Sequence, residues 1–228
     1  MKRFLCFFLA IISSVLCSAY SAIPKDCETT TEYFNGLDLL HIYRPIDSVE
    51  QLLLVDHTGG SHATAKYYIK DNKLKYSWLL KLETDALVGW GGVGKEREGD
   101  GKTPLGDYGI TTAFGIKDNP GTELPYICIL EDTVCCSDNS SFYNQIVRKS
   151  DISDHYCTGE PMIHSKPDFN YGVMLNYNSD CTYPDGSGIF LHCIGQYDYT
   201  FGCVAIPEED MLTIIQTANS GLRIIIFE

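Results

Sequence analysis

Residues 188–206 read Gly188-Ile-Phe-Leu-His192-Cys-Ile-Gly195-Gln-Tyr-Asp-Tyr-Thr200-Phe-Gly202-Cys203-Val-Ala-Ile206. Gly188 to Ile194 is a short apolar run rich in branched and aromatic residues, the composition of a buried strand. A polar loop then turns the chain, and Gly202 permits a tight backbone approach immediately before Cys203. A thiol is a weak nucleophile until it loses its proton, so a catalytic cysteine needs a base within hydrogen-bond reach and donors facing the developing oxyanion. His192 is a candidate base and Cys203 a candidate nucleophile. On these residues alone the alternative also stands, in which Cys203 is half of a disulfide and His192 is a satisfied core histidine.

Downstream, Pro207 to Ala218 carries the signals of a helix. Pro stands at its first position, Glu208, Glu209 and Asp210 fill the first turn, and Met211, Ile214, Ile215 and Ala218 recur at helical spacing before Asn219-Ser220-Gly221. Its positive N-terminal end is placed to lower the Cys203 pKa if it points that way. Leu222 to Phe227 reads as a closing strand. Upstream, Gln51 to Asp56, Ala63 to Lys70 and Leu74 to Glu83 are strand-like runs separated by turn compositions, which predicts an antiparallel meander. Further strands are expected at Tyr108 to Phe114, Tyr126 to Glu131 and Gly172 to Asn178, and a short helix at Ser141 to Lys149. The sum is an α+β chain, predominantly β, in one domain spanning 51–228.

Residues 1–21 begin Met1-Lys2-Arg3 and continue as an apolar run of signal-peptide length, too short to span a bilayer. A secreted or periplasmic protein is expected, with no membrane attachment after cleavage. Residues 22–50 are polar and turn-rich and are expected to form an N-terminal extension. Without the leader, 15 basic residues face 30 acidic ones, a formal charge of −15. That excess argues against binding nucleic acid or anionic lipid through bulk electrostatics.

Eight cysteines remain outside the leader: Cys27, Cys128, Cys135, Cys136, Cys157, Cys181, Cys193 and Cys203. In an exported chain such a set suggests disulfides. With Cys203 kept as a catalytic thiol and Cys193 as a small hydrophobe inside an apolar strand, six are left for up to three bridges. A reactive Cys203 is therefore expected in a cleft out of reach of the bridging set.

His192-x-x-Gly195, a loop, then Thr200-x-Gly202-Cys203 resembles the signature of the L,D-transpeptidase (YkuD-type) catalytic domain. Gly99-Asp-Gly-Lys-Thr103-Pro104-Leu-Gly106 is similar to that family's threonine-proline-x-glycine turn. Ser140-Ser-Phe-Tyr143-Asn144, Glu160-Pro-Met162 and Tyr177-Asn178 are similar to features of one branch of small exported members. The resemblance covers roughly Leu52 to Glu228 and implies a β-sandwich or barrel with a few short helices.

The resemblance also implies roles. Cys203 would be the nucleophile, His192 its base, and the carbonyl of Cys193 the group that orients the imidazole. Thr200 and the N–H groups of Gly202 and Cys203 would bound the oxyanion site, and Glu160, Tyr177, Asn178 and Gly195 would contact substrate. The activity implied is transpeptidation of peptidoglycan tetrapeptide stems through a Cys203 acyl-enzyme, with no cofactor or metal. An L,D-carboxypeptidase at the same site, and an inactive disulfide-stapled cell-wall-binding module, are the alternatives. Phe201 and Ala205 depart from the family pattern, which often has a histidine just before the Gly-Cys pair and an arginine or asparagine two residues after the cysteine.

Two other features have plainer readings. Gly89-Trp-Gly-Gly-Val-Gly94-Lys95 looks like a phosphate-binding loop, but Glu96 stands where a hydroxyl should meet magnesium, so a mobile loop over the cleft, or a structural turn, is expected instead. His57, His62, His155 and His164 are scattered without ligand spacing.

Overall fold

The computed structural model describes residues 36–71, 73, 77–153, 157 and 159–228. The expected leader, Cys27, His155 and residues 22–35 of the expected extension lie outside them. The described chain runs α1 (Gly36–Tyr43), β1 (Gln51–Gly59), β2 (His62–Lys70), β3 (Trp78–Leu87), β4 (Gly106–Gly115), β5 (Tyr126–Cys128), β6 (Thr133–Cys135) and β7 (Ile146–Arg148). It continues with β8 (Gly172–Leu175), β9 (Phe190–Cys193), β10 (Val204–Ile206), α2 (Glu208–Thr217) and β11 (Leu222–Phe227).

The strands close into a barrel. Around the ring the order is β11-β1-β2-β3-β10-β9-β8-β4, and β4 pairs back onto β11 while β5 adds beside β4. β1, β2 and β3 form the expected antiparallel meander. β3 runs to Leu87, further than its composition suggests, because it pairs along the whole of β2 from His62 to Lys70.

β1 explains why its apolar run does not alternate. Leu53 and Val55 point into the barrel core with Ile224 and Ile226 of β11, whereas Leu52 and Leu54 pack outward with Ile225 against Leu39, Leu40 and Tyr43. Both faces are covered, so both need hydrophobic residues. The outer cover is α1, which lies in a segment expected to be irregular. At eight residues α1 is too short to show a helical period; Trp78 donates from Nε1 to the Leu40 carbonyl at 2.9 Å and helps dock it.

α2 starts and ends within a residue of its expected limits. Met211, Ile214 and Ile215 are fully buried in the same cluster as Leu191 and Cys193 of β9 and Val204 and Ile206 of β10. The opposite face of β9 enters another cluster, where Phe114, Phe169 and Phe190 meet edge to face at 4.9–5.7 Å between ring centres. Period-2 alternation therefore sends Leu191 and Cys193 to the barrel core and Phe190 and His192 to the other side.

The helix expected at Ser141 to Lys149 is absent. Asn144 takes a left-handed φ of 60°, and its buried amide donates to the carbonyls of Tyr177 and Asn178, both at 2.9 Å. A helix would break those bonds. Ile146 and Val147, which favour strands, pair instead with β6 in a small two-stranded sheet. The disulfide Cys136–Cys157 lies beneath it. It is the bridge found among the described residues, where up to three were expected; Cys128, Cys135, Cys181, Cys193 and Cys203 carry free thiols. Among the described residues no helix is long and apolar enough to cross a membrane.

Candidate active site

β9 and β10 are parallel, with Ala205 opposite His192 and Val204 opposite Leu191. Cys203 immediately precedes β10, two residues from Ala205, and lies on the side of Phe190, in the same cluster. Its Sγ accepts the Phe190 N–H at 3.4 Å and donates to the Gly188 carbonyl at 3.2 Å. The thiol borders a cavity of about 230 Å³ whose walls include Glu98, Cys135, Glu160, Phe169 and Phe201.

His192 is buried, and its Nδ1 is 2.8 Å from the Cys193 carbonyl. A protonated Nδ1 satisfies that oxygen and leaves Nε2 as the basic nitrogen. The ring packs edge-on against Phe169, with centres 5.4 Å apart, and Phe169 also lines the Cys203 cavity. Burial pulls the imidazole pKa down, while the bond to the Cys193 carbonyl, then the charge and backbone of Asp168, oppose that shift. Burial pushes the Cys203 thiol up to about 12. Both directions favour a neutral thiol and a neutral imidazole before substrate arrives.

Downstream of Cys203, β10 separates the thiol from α2, whose first turn is engaged elsewhere. Glu208 pairs with Lys117 and accepts from Asn170 at 2.7 Å. The largest influence on the Cys203 pKa is burial, which raises it.

The turn before Cys203 is fastened to its own carbonyl. Thr200 Oγ1 donates to the Cys203 oxygen at 2.6 Å and accepts the Gly202 N–H at 3.1 Å. Thr103, fully buried, donates to the same oxygen at 3.1 Å while accepting the Gly89 N–H at 2.8 Å. Gly202 has a φ of +136°, and an added Cβ would stand 2.9 Å from the Lys102 carbonyl oxygen, so only glycine fits. The Gly202 N–H, expected at the oxyanion site, is held by Thr200 in this structure. The Cys203 N–H remains the candidate donor.

Residues 89–106 form a folded loop, pinned by its own hydrogen bonds, beside this turn. Asp100 accepts from Lys95 Nζ at 2.8 Å and from the N–H groups of Glu96, Arg97 and Lys102 at 2.7–3.0 Å, which holds its carboxyl well below the usual range. The Lys95 side chain is 2% exposed, and its charge favours ionisation of Cys203. Internal pairing of this kind fits the structural turn, one of the two readings the glycines left open.

Of the residues expected to meet substrate, Glu160 lines the Cys203 cavity. Tyr177 and Asn178 do not. The Tyr177 hydroxyl donates to the Asp185 carbonyl at 2.5 Å, and the Asn178 side chain bonds Thr182 and Gly186, so both brace the 178–188 loop. Gly195 is also outside the cavity; an added Cβ there would stand 2.0 Å from an Asp168 carboxylate oxygen, so the glycine admits that carboxylate to the vicinity of His192. Asp168, Glu98 and Cys135 carried no motif in the sequence. Fold contacts alone bring them to the site.

A family model described as YkuD, L,D-transpeptidase catalytic domain, matches residues 54–226. Among solved structures, the chain is similar to the helical cell shape determining protein Pgp2 from Campylobacter jejuni, at 16% identity and a TM-score of 0.45 over 80% of this chain and 48% of that one. It is similar also to an L,D-transpeptidase of Enterococcus faecium, at 16% identity and a TM-score of 0.37 over 78% and 50%, and to L,D-transpeptidase 1 of Mycobacterium tuberculosis, at 14% and 0.33 over 77% and 62%. The chain spans about half the length of the first of these structures. No curated protein matches it.

Proposed function

We propose that this chain, which belongs to the L,D-transpeptidase (YkuD) catalytic domain family, is an exported cysteine acyltransferase that cross-links peptidoglycan tetrapeptide stems through Cys203. The observation that carries this reading is the pairing of β9, which holds His192, with β10, which Cys203 immediately precedes, with the thiol at a cavity and the imidazole set by the Cys193 carbonyl.

In the proposed reaction a stem peptide enters the cavity with the carbonyl of its L-configured centre against Sγ. His192 Nε2 takes the thiol proton as Sγ attacks, which suits a pair that is neutral at rest. The Cys203 N–H faces the oxyanion, and Thr200 and Thr103 fix the peptide unit that follows it. The intermediate collapses to a thioester and expels the terminal D-alanine, its nitrogen taking the proton from His192. An amine of a second stem then attacks the thioester and regenerates the thiol.

Glu98 and Glu160 both line the cavity, and among its described lining residues there is no Lys, Arg or His. Such a wall favours a substrate that brings ammonium groups. Purified protein incubated with disaccharide-tetrapeptide, with products weighed by mass spectrometry, tests the proposal. Cross-linked dimers that vanish in Cys203→Ala support it. Tripeptide alone would assign a carboxypeptidase, and no turnover by a folded, thiol-free-at-203 control and wild type alike would leave a binding module.

A further inference from the structure

A second thiol faces the same cavity as Cys203. Cys135, the last residue of β6, lines it from the side of the two-stranded sheet, and its partner in sequence, Cys136, is already tied to Cys157. The two thiols flank one residue. Cys203 Sγ lies 3.2 Å from the carbonyl oxygen of Gly188, and Cys135 Sγ lies 3.2 Å from the position a Cβ on Gly188 would take. Both belong to the cluster built on Phe114, Phe190 and Met162, where neither has a disulfide partner. Cys203 borders a cavity as expected, and Cys135, one of the six cysteines expected to form bridges, is free and lines the same cavity.

We propose that Cys135 is a resolving thiol, which closes a reversible disulfide with Cys203 when the cavity meets a small-molecule or protein disulfide. The chemistry needs no metal and balances in two exchanges. In the first, Cys203 gives its proton to His192 and its sulfur attacks one sulfur of R–S–S–R; that bond breaks, and one R–S⁻ leaves with the electron pair. The first R–S⁻ takes the proton back from His192; in the second exchange Cys135 attacks Cys203 Sγ, the Cys203–S–R bond breaks with its electron pair on the leaving sulfur, and that sulfur takes the Cys135 proton, so both halves leave as R–SH. Two protein thiols are oxidised to one disulfide, and the external disulfide is reduced to two thiols. A dithiol reverses both steps.

Two features make the pairing selective. Burial pushes the Cys135 thiol up to about 12, and a charge on Cys203 opposes its ionisation further, so the pair resists adventitious alkylation while the cavity is empty. Once Cys203 carries a mixed disulfide, Cys135 lines the same cavity and is placed to attack Cys203 Sγ. Exchange thus protects the nucleophile from over-oxidation, and the enzyme is switched off until reduced.

The inference does not depend on which acyl transfer Cys203 performs, because the test reads a covalent bond. The full chain is treated with oxidised glutathione, alkylated without reduction, digested and mapped by mass spectrometry. Expected are a protein lighter by two hydrogens, a Cys135–Cys203 linked peptide, and a drop of about tenfold or more in Cys203 alkylation that dithiothreitol reverses. Cys135→Ala, with Cys135→Ser as the second variant should the first not fold, is expected to stop one glutathione heavier at Cys203. A linkage of Cys203 to Cys128 or Cys181, a wild-type chain that stops at the mixed disulfide, or a Cys203 left fully alkylatable would each overturn the proposal.

Discussion

The hydroxyl of Thr200 donates to the carbonyl oxygen of Cys203 at 2.6 Å, and the same hydroxyl accepts the Gly202 N–H at 3.1 Å. One side chain thereby closes the turn that carries the thiol. Thr200→Val keeps the shape and deletes both bonds, leaving a buried N–H without a partner, so a loss of about 2–3 kcal/mol in stability is expected. Turnover should fall about tenfold or more through kcat, since Sγ moves with the turn. Thr200→Ser should recover most of both. Urea unfolding together with kinetics on a stem peptide checks this, and a Thr200→Val protein as active as wild type would show that the turn holds without the clamp.

His192 supplies a pH dependence whose sign follows from its burial. Its pKa in the folded chain lies below the ordinary value of 6.5, so between the two values the unfolded chain binds a proton that the native chain refuses. Stability is then present above pH 6.5 and is lost as pH falls below it. In His192→Gln that part of the slope should vanish, and the wild-type and variant unfolding curves should converge as pH drops from about 7 to 5. The same substitution should lower turnover by on the order of 10²-fold, as expected for a lost general base. Parallel pH curves for the two proteins would count against a neutral buried imidazole.

How far the sequence carried these conclusions differs from element to element. Gly188 to Ile206 was legible as strand, loop and a tight turn before Cys203 because apolar composition and a Gly-Cys pair are local signals. α2 was legible because its cap, first-turn acids and apolar spacing agree. α1 was not, since eight residues hold too little periodicity and the helix is set by docking onto Leu52, Leu54 and Ile225. Tyr177 and Asn178 looked like substrate contacts from their motif, yet their polar atoms are consumed by backbone groups of the 178–188 loop. Glu98, Cys135 and Asp168 come from three separate segments, and only tertiary pairing makes neighbours of them.

Lys95 and Asp100 form the most buried ion pair among the described residues, with side chains 2% and 11% exposed. Removing one member of such a pair leaves the other charge without its partner in a poorly solvated place. Lys95→Met is expected to destabilise the fold by about 3–5 kcal/mol. It should also slow Cys203 chemistry, because the Lys95 charge favours the thiolate. Asp100→Asn leaves the more buried Lys95 charge without its partner and replaces one acceptor oxygen of the loop, so it should cost at least as much. Chemical denaturation of the three proteins gives the ordering, and a Lys95→Met protein of wild-type stability would mean that the loop, not the ion pair, carries the energy.

Cys203 at rest should be an unreactive thiol. With burial pushing it up to about 12 from an ordinary 9.0, its thiolate fraction at neutral pH falls by about 10³, since each pKa unit is a factor of ten. Higher basicity makes the remaining thiolate a stronger nucleophile and recovers part of that loss, a factor of about 25 at a Brønsted slope near 0.45. The net expectation is alkylation by iodoacetamide roughly 40-fold slower than at an ordinary exposed thiol, a deficit that narrows as pH rises toward 10. Cys128, exposed on β5, is the internal reference. Peptide-resolved alkylation rates in one sample compare the two directly. A Cys203 that reacts faster than Cys128 at pH 7 would mean that thiolate and imidazolium already coexist before substrate arrives, and the proton transfer assigned to the attack step would then precede it.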